Sequence, residues 1–440
     1  MKNRRGFIKD LGTTAVVGIV TPTFLSMSSK TSDRIIDTKK INIGVIGCRS
    51  MGKADLRDFL ILPEVECIAL CDLDPENLEK TASLVKQEKG NNPRLFKDYK
   101  EMLKMKEIDA VIIATPDHWH CLQMVDSCVA GKDVYIEKPI ANSIAECDVM
   151  VAAAKKYDRI VNVGQQQRSG KHWNEMIAFL NSGKLGRIMK VDVWANFRYA
   201  ALSLPVPNSD APEGVDYNAW LGHTPLRPFN KQRYHGSWRM FWDYGGGLMT
   251  DWGVHLLDMA LWGMKVTGMP NRVVATGGKF AFPENSPETF DTQNVSYEFD
   301  DFLINWSNIT VESDYFGRNY GVAFRGLNGI LVADRNDWEV IPNLDSSKKP
   351  IIEAKKVFAD GNEHKDHVKN FVECLKTRNP NTPCTIENGS LCAKYAHIGN
   401  IAARTKAVLT YDDINKTFNN PQADKFIKPE YRYPYIFPII

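Results

Sequence analysis

A carboxylate, an ammonium and a proline follow one another at Glu137, Lys138 and Pro139, directly after the apolar stretch "DVYI". Such a stretch reads as a strand buried on both faces, so charges at its end must sit at a mouth or cleft, where water or a partner can meet them. A second polar ending, "ATPDHWH", supplies Thr115, Pro116, Asp117, His118, Trp119 and His120 at the end of another apolar run. A third cluster lies in "FWDYGGGLMTDWGVHLLDMALW", where Gly245 to Gly247 allow a tight passage into a helix. Asp251 and His255 are four apart there and share one helical face. A carboxylate one turn from an imidazole fixes its tautomer and raises its basicity, which makes the pair an acid/base candidate rather than a bystander. His118, His120, Asp251 and His255 are also metal-ligand types. Two histidines separated by one residue on a strand end need outside help to complete a zinc tetrahedron, so no metal is expected.

Proton transfer needs a companion reaction, and the first strand indicates one. "INIGVIGCRSMGKADLRDFL" sets Gly47 and Gly52 where the first and third glycines of G-x-G-x-x-G fall, between a strand and a helix. Arg49 stands in place of the middle glycine, so its side chain must point elsewhere or contact phosphate itself. Asp72 closes the second strand, where an acid accepts hydrogen bonds from ribose hydroxyls and repels a 2′-phosphate. NAD is therefore expected over NADP, with Arg49 and Lys53 softening that preference. The nucleotide would lie across the carboxyl ends of the parallel strands, bringing the polar strand ends together around the nicotinamide. A cationic ring beside Lys138 favours the neutral, proton-accepting amine.

These residues need a scaffold, and the pattern supplies one. From Ile41, "INIGVIG", "VECIALCD", "AVIIATP", "DVYIEKP" and "RIVNVG" alternate with helical stretches, which predicts βαβ units in a doubly wound parallel sheet over residues 41–164. From 165 to 440 the texture changes to longer alternating strands ("IMKVDVWANF", "NRVVATGGKF", "QNVSYEFDDFLINWSNIT", "YGVAFRGLNGILVADRNDWEVI"), then helices and a tail rich in proline and tyrosine. That predicts an α+β domain with a large, mostly antiparallel sheet. The fold class is thus α/β, a Rossmann domain followed by a substrate-binding and oligomerisation domain.

Together the residues resemble the Gfo/Idh/MocA oxidoreductases, which include glucose-fructose oxidoreductase and inositol dehydrogenase. The resemblance runs from about Ile41 to "YRYPY" and is carried most specifically by Glu137-Lys138-Pro139, by Asp251-x-x-x-His255 behind the triple glycine, and by the strand end reaching His120. It implies that Lys138, Asp251 and His255 line the substrate pocket and handle the hydroxyl proton, that the Lys138-Pro139 peptide is cis, and that the chain is a homo-oligomer, dimer or tetramer. The missing middle glycine is the departure. The nucleotide is expected against Gly47, Cys48, Arg49, Ser50, Met51, Gly52, Asp72, Thr115, Pro116, His120, Glu137, Lys138 and Gln166. A carbohydrate substrate is expected against His118, Trp119, Lys138, Arg168, Tyr234, Trp238, Asp251 and His255, since tryptophan and tyrosine suit a sugar's apolar face.

Composition narrows the partners. Basic and acidic residues nearly cancel, leaving +2, so no basic field asks for nucleic acid. Residues 1–30, with Arg4-Arg5 before Gly6-Phe7-Ile8-Lys9 and a short uncharged run from Leu11 to Val20, resemble a twin-arginine export signal. That run is too short to span a bilayer, and residues 31–40 read as a polar linker. A periplasmic protein without stable membrane association is expected. The nine cysteines show no repeating spacing and fit buried free thiols of a chain folded before export. Two activities fit: a sugar or glycoside dehydrogenase, with 3-keto-glycoside formation as one form of it, and a redox-neutral glycosidase working on one bound NAD. A sugar sensor is a third reading.

Overall fold

A computed structural model describes residues 40–196, 198 and 204–440. The twin-arginine segment lies outside them. Isoleucine, valine and alanine runs form the central strands of a parallel sheet: β1 (Ile41–Ile46), β2 (Val65–Cys71), β4 (Ala110–Ile113), β5 (Asp133–Ile136) and β6 (Val161–Val163), with β3 (Arg94–Phe96) at the edge. Ile43, Val45, Val111, Ile112, Val134 and Ile136 have almost no exposure, as strands covered by helices on both sides require. The strand β3 was not anticipated, because three residues, two of them exposed, carry no hydrophobic period. The covering helices are α1 (Ser50–Leu60), α2 (Pro75–Lys89), α3 (Tyr99–Leu103), α4 (Asp117–Val129) and α5 (Ile144–Lys156). Their starts are written locally. Asp74 and Ser143 accept backbone N–H bonds at the caps of α2 and α5, Pro75 presets the first turn of α2, and Gly90 ends that helix in the left-handed region.

The strand order is β3-β2-β1-β4-β5-β6. The chain therefore winds outward in both directions from β1, and the ends of β1 and β4 part to open a crevice at the switch point.

One expectation fails at this edge. The fourth strand stops at Ile113, and Asp117, His118, Trp119 and His120 form the first turn of α4 instead of a strand end. Pro116 takes the N-cap with no N–H to satisfy, and Asp117 is buried in the first turn, where burial pushes its carboxyl well above the usual range.

The second region comprises α6 (Lys171–Asn181), β7 (Ile188–Asn196), α7 (Tyr217–Leu221), α8 (Gly247–Asp251), α9 (Gly253–Gly263), β8 (Arg272–Gly278), β9 (Thr292–Glu298), β10 (Leu303–Ile309), β11 (Tyr320–Gly326), β12 (Gly329–Ala333), β13 (Asp337–Pro342), β14 (Lys355–Phe358), α10 (Glu363–Thr377) and α11 (Ile386–Thr405). Its eight strands run β14-β13-β12-β11-β7-β10-β9-β8, with β7 and β10 parallel and every other neighbouring pair antiparallel. Val191, Val193, Ile304, Trp306, Val322 and Phe324 alternate onto one face and join the core with α9 and α11. Each such side chain contributes about 1.5–3 kcal/mol on burial. The helix α9 is apolar on nearly every side, with Val254, Leu256, Leu257, Met259, Ala260 and Leu261 all buried, so it is clamped and cannot drift. It is the fixed base from which His255 projects.

Asp251 and His255 do not lie on one continuous helix. The helix α8 ends at Asp251, α9 begins at Gly253, and the His255 N–H bonds back to the Trp252 carbonyl, which tightens the turn between them. All nine cysteines are free and buried, in keeping with their reading as small hydrophobes. Among the described residues no helix is long and apolar enough to cross a membrane.

Candidate active site

The glycine turn comes first because its backbone is the most constrained. Gly47 sits at φ +91°, and a Cβ there would lie 2.8 Å from the Ala114 carbonyl. A Cβ on Gly52 would fall 1.8 Å from the Gly47 oxygen, so helix and strand touch through hydrogen alone. No side chain caps the start of α1, which leaves its first N–H groups directed at the crevice as an anion cradle. The crevice holds about 720 Å³ and is walled by Gly47, Ser50, Met51, Asp72, Thr115 and Pro116 among others. These features fit a dinucleotide.

Asp72 is half committed. One carboxylate oxygen accepts the Cys48 N–H at 2.7 Å and the other the Asp74 N–H at 2.9 Å, which leaves a further lone pair on each for ribose hydroxyls. Burial pushes its pKa above the usual carboxylate range, opposed by those two bonds. Cys48 itself is corrected. Its N–H is given to Asp72, its carbonyl accepts the Thr81 hydroxyl, and its buried thiol meets the Cys71 carbonyl, so it braces the turn and does not line the crevice.

The strand end answers the chemistry. The Lys138-Pro139 peptide is cis. Lys138 Nζ lies 2.6 Å from Asp251 Oδ1 and 3.1 Å from the Asp251 carbonyl, with the two side chains 11% and 5% exposed. Arg239 Nε approaches the same Oδ1 at 3.3 Å while its guanidinium lies 4.2 Å from the centre of the Trp238 ring. Arg239 and Trp238 both line the crevice, which makes Lys138-Asp251-Arg239 a charged chain running from the β5 end to the nucleotide wall. Asp251 thus bonds Lys138, and its charge also acts on His255. His255 is buried, its Nδ1 has no hydrogen-bond partner, and burial, then Lys138 and Arg335, hold it well below the ordinary histidine range. It is a neutral imidazole beside the Lys138–Asp251 pair.

Several other residues expected at cofactor or substrate have structural partners. His118 is sealed in an aromatic nest with Trp220, His223 and Tyr244, and burial takes it down to about 3. His120 is walled in by the Pro139 and Thr115 carbonyls, each 2.8 Å from a ring nitrogen, so it ties α4 to the turn after β5 rather than meeting cofactor. Arg168 grips Asp258 on α9 through two bonds of 2.8 and 2.7 Å, which occupies the fork expected for substrate. Gln166 is half-buried and does not line the crevice. Trp119, Tyr234 and Trp238 do line it. Arg239 was missed, although a cation between aromatics just ahead of the triple glycine was the available signal. Among the described residues no group of three His, Cys, Asp or Glu side chains is placed to hold a metal ion.

Glu137 also departs from its expected place on the nucleotide. It presses against Gly164, where a Cβ would lie 2.2 Å from its Oε1, and burial and Asp55 push it up to about 8. Close by, His364 of α10 is bonded to Asp55 and Asp58 of α1. Burial alone would lower His364, but these carboxylates push it up to about 9. The folded state therefore holds a proton that the unfolded chain releases near 6.5. Its stabilisation is complete below pH 6.5 and is lost as pH rises through about 9. His364→Gln should remove on the order of 2 kcal/mol at pH 6 and flatten the decline in urea midpoint between pH 6.5 and 9.

Fold and site define a nucleotide-dependent oxidoreductase. A model of the oxidoreductase family's NAD-binding Rossmann fold matches residues 41–165, and one of its C-terminal alpha/beta domain matches residues 171–300. The chain belongs to the Gfo/Idh/MocA oxidoreductase family. The uncharacterized oxidoreductase YrbE of Bacillus subtilis is 23% identical over 368 residues, 82% of this chain and 93% of that protein. The alpha-N-acetylgalactosaminidase of Shewanella oneidensis is 24% identical over 153 residues, 34% of this chain and 33% of that one. Among solved structures, levoglucosan dehydrogenase in complex with NADH and levoglucosan superposes with a TM-score of 0.64 at 17% identity, covering 84% of this chain and 99% of that one. The aldose-aldose oxidoreductase of Caulobacter crescentus gives 0.63 at 18%, with coverage of 84% and 99%. Both likenesses establish the fold.

Proposed function

We propose that the protein is an exported NAD(H)-dependent oxidoreductase that oxidises a ring hydroxyl of a sugar or glycoside to a ketone. The observation that carries this reading is the 2.6 Å bond between Lys138 and Asp251 beside the nucleotide crevice. NAD, when bound, supplies the hydride acceptor. Lys138 is the group placed to take the hydroxyl proton, while Asp251 and Arg239 fix where Nζ points. His255, kept neutral, offers a ring nitrogen to the same oxygen or carries the proton onward. Trp119, Tyr234 and Trp238 supply apolar walls for a sugar ring. Solved relatives acting on aldoses and levoglucosan support the substrate class. The twin-arginine motif supports export to the periplasm, where a nucleotide carried inside the folded protein would have to be recycled within the site. A homo-oligomer belongs to the same reading.

The glycosidase relatives favour a second reading, in which oxidation, elimination, hydration and reduction occur on one nucleotide with no net redox change. Incubation with nitrophenyl glycosides and no added NAD separates the two. The dehydrogenase reading expects a keto-glycoside with nitrophenol retained, and free nitrophenol would overturn it in favour of hydrolysis.

A further inference from the structure

The arginine in place of the fingerprint's middle glycine has no part in the chemistry above, yet it is engaged. From the N-cap of α1, the Arg49 guanidinium donates to the backbone carbonyl of His235, a residue of the second region more than 180 positions away. His235 is held at φ +60°, in the left-handed region a non-glycine residue rarely occupies. Its ring returns to the Rossmann domain, with Nε2 2.6 Å from Asp74 Oδ2 in the loop after β2. Asp74 is fixed in turn, because its other oxygen caps α2. Arg49, His235 and the neighbouring Tyr234 line the crevice, and so do Pro434 and Tyr435 of the C-terminal tail.

We propose that Arg49, His235 and Asp74 form a clasp across the nucleotide crevice, which must open for NAD(H) to enter or leave. The two Rossmann loops it joins are the anion cradle and the ribose-binding strand end, so the segment carrying His235 is tied down on both flanks of the nucleotide's path. The inference rests on the reading of that crevice as an NAD site. It gives the resident nucleotide of an exported enzyme a physical cause, a slow gate, instead of stronger contacts with the nucleotide. A middle glycine could not make this tie, which accounts for the departure from the fingerprint.

Gate and ligand differ in kinetics. A clasp slows association and dissociation alike, whereas a phosphate-binding arginine speeds association and slows dissociation. The test measures NADH association and dissociation by stopped-flow fluorescence in the wild type, Arg49→Gly, His235→Ala and Asp74→Asn. The last keeps a competent helix cap, since asparagine caps as well as aspartate. Nucleotide released by denaturing each purified protein is quantified by mass spectrometry. The clasp predicts that both rate constants rise about tenfold or more in all three variants, the factor that loss of one charge-assisted hydrogen bond gives, and that all three purify depleted of nucleotide. If Arg49→Gly binds more weakly with unchanged or slower association, while His235→Ala and Asp74→Asn match the wild type, Arg49 is a phosphate ligand and the clasp is wrong. Equal retention and equal rates throughout also reject the clasp and leave tight binding standing. A wild type that exchanges nucleotide freely sinks the resident-nucleotide reading by itself, and the comparison of rates still decides the clasp.

Discussion

Lys138→Ala is expected to lower kcat for hydroxyl oxidation by about 10³-fold, equivalent to about 4 kcal/mol of barrier, with nucleotide content unchanged. The size follows from the loss of a positioned proton acceptor, and the unchanged content from geometry, since the glycine turn and α1 that cradle the nucleotide make no bond to Lys138. The variant should fold, because Asp251 keeps Arg239 as a counter-ion. Lys138→Arg should be no better than alanine: a guanidinium stays charged at working pH and cannot accept the proton. Steady-state rates on the best glycoside, measured beside mass spectrometry of the released nucleotide, check both halves. Activity within tenfold of wild type, or loss of nucleotide together with rate, would place the proton acceptor elsewhere.

The second large effect is at the turn. Gly52→Ala is expected to abolish measurable NAD binding, a loss of at least about 100-fold in affinity, because its methyl group would lie 1.8 Å from the Gly47 oxygen. The turn has little room to retreat, since on its other side even a Cβ on Gly47 would lie 2.8 Å from the Ala114 backbone. The start of α1 must therefore move and carry the anion cradle with it. Calorimetric titration with NAD reports the loss, and circular dichroism confirms that the fold survives. Binding within a few-fold of wild type would show that the nucleotide does not use this turn.

The parallel sheet was legible because strands buried on both faces leave uninterrupted apolar runs, whereas β3 escaped because a short exposed edge leaves none. The alternating strands of the second sheet were equally plain, as Val191, Val193, Trp306 and Phe324 all turn inward at period two. In the site, sequence spacing located Lys138, Asp251 and His255 but not who bonds to whom. Four residues on a helix imply a shared face, and the break at Trp252 sends the Asp251 carboxylate to Lys138. Residue type misled at His118, His120 and Arg168, because each could serve a ligand and each is spent on a structural partner. Those partners, the Trp220 carbonyl, the Pro139 carbonyl and Asp258, are set by tertiary packing that no local pattern encodes. Arg49 shows the reverse, since its departure from a fingerprint was visible but its target, His235, was not.

The most direct test of the hydride step is isotopic. Purified protein is mixed, without added nucleotide, with glycosides deuterated at the ring carbons, then denatured and its nucleotide weighed. Hydride transfer from the ring carbon to resident NAD gives NADH one mass unit heavy together with a keto product, and both should vanish in Lys138→Ala. Nucleotide that emerges unlabelled after the sugar has been consumed, or no nucleotide at all, would contradict it.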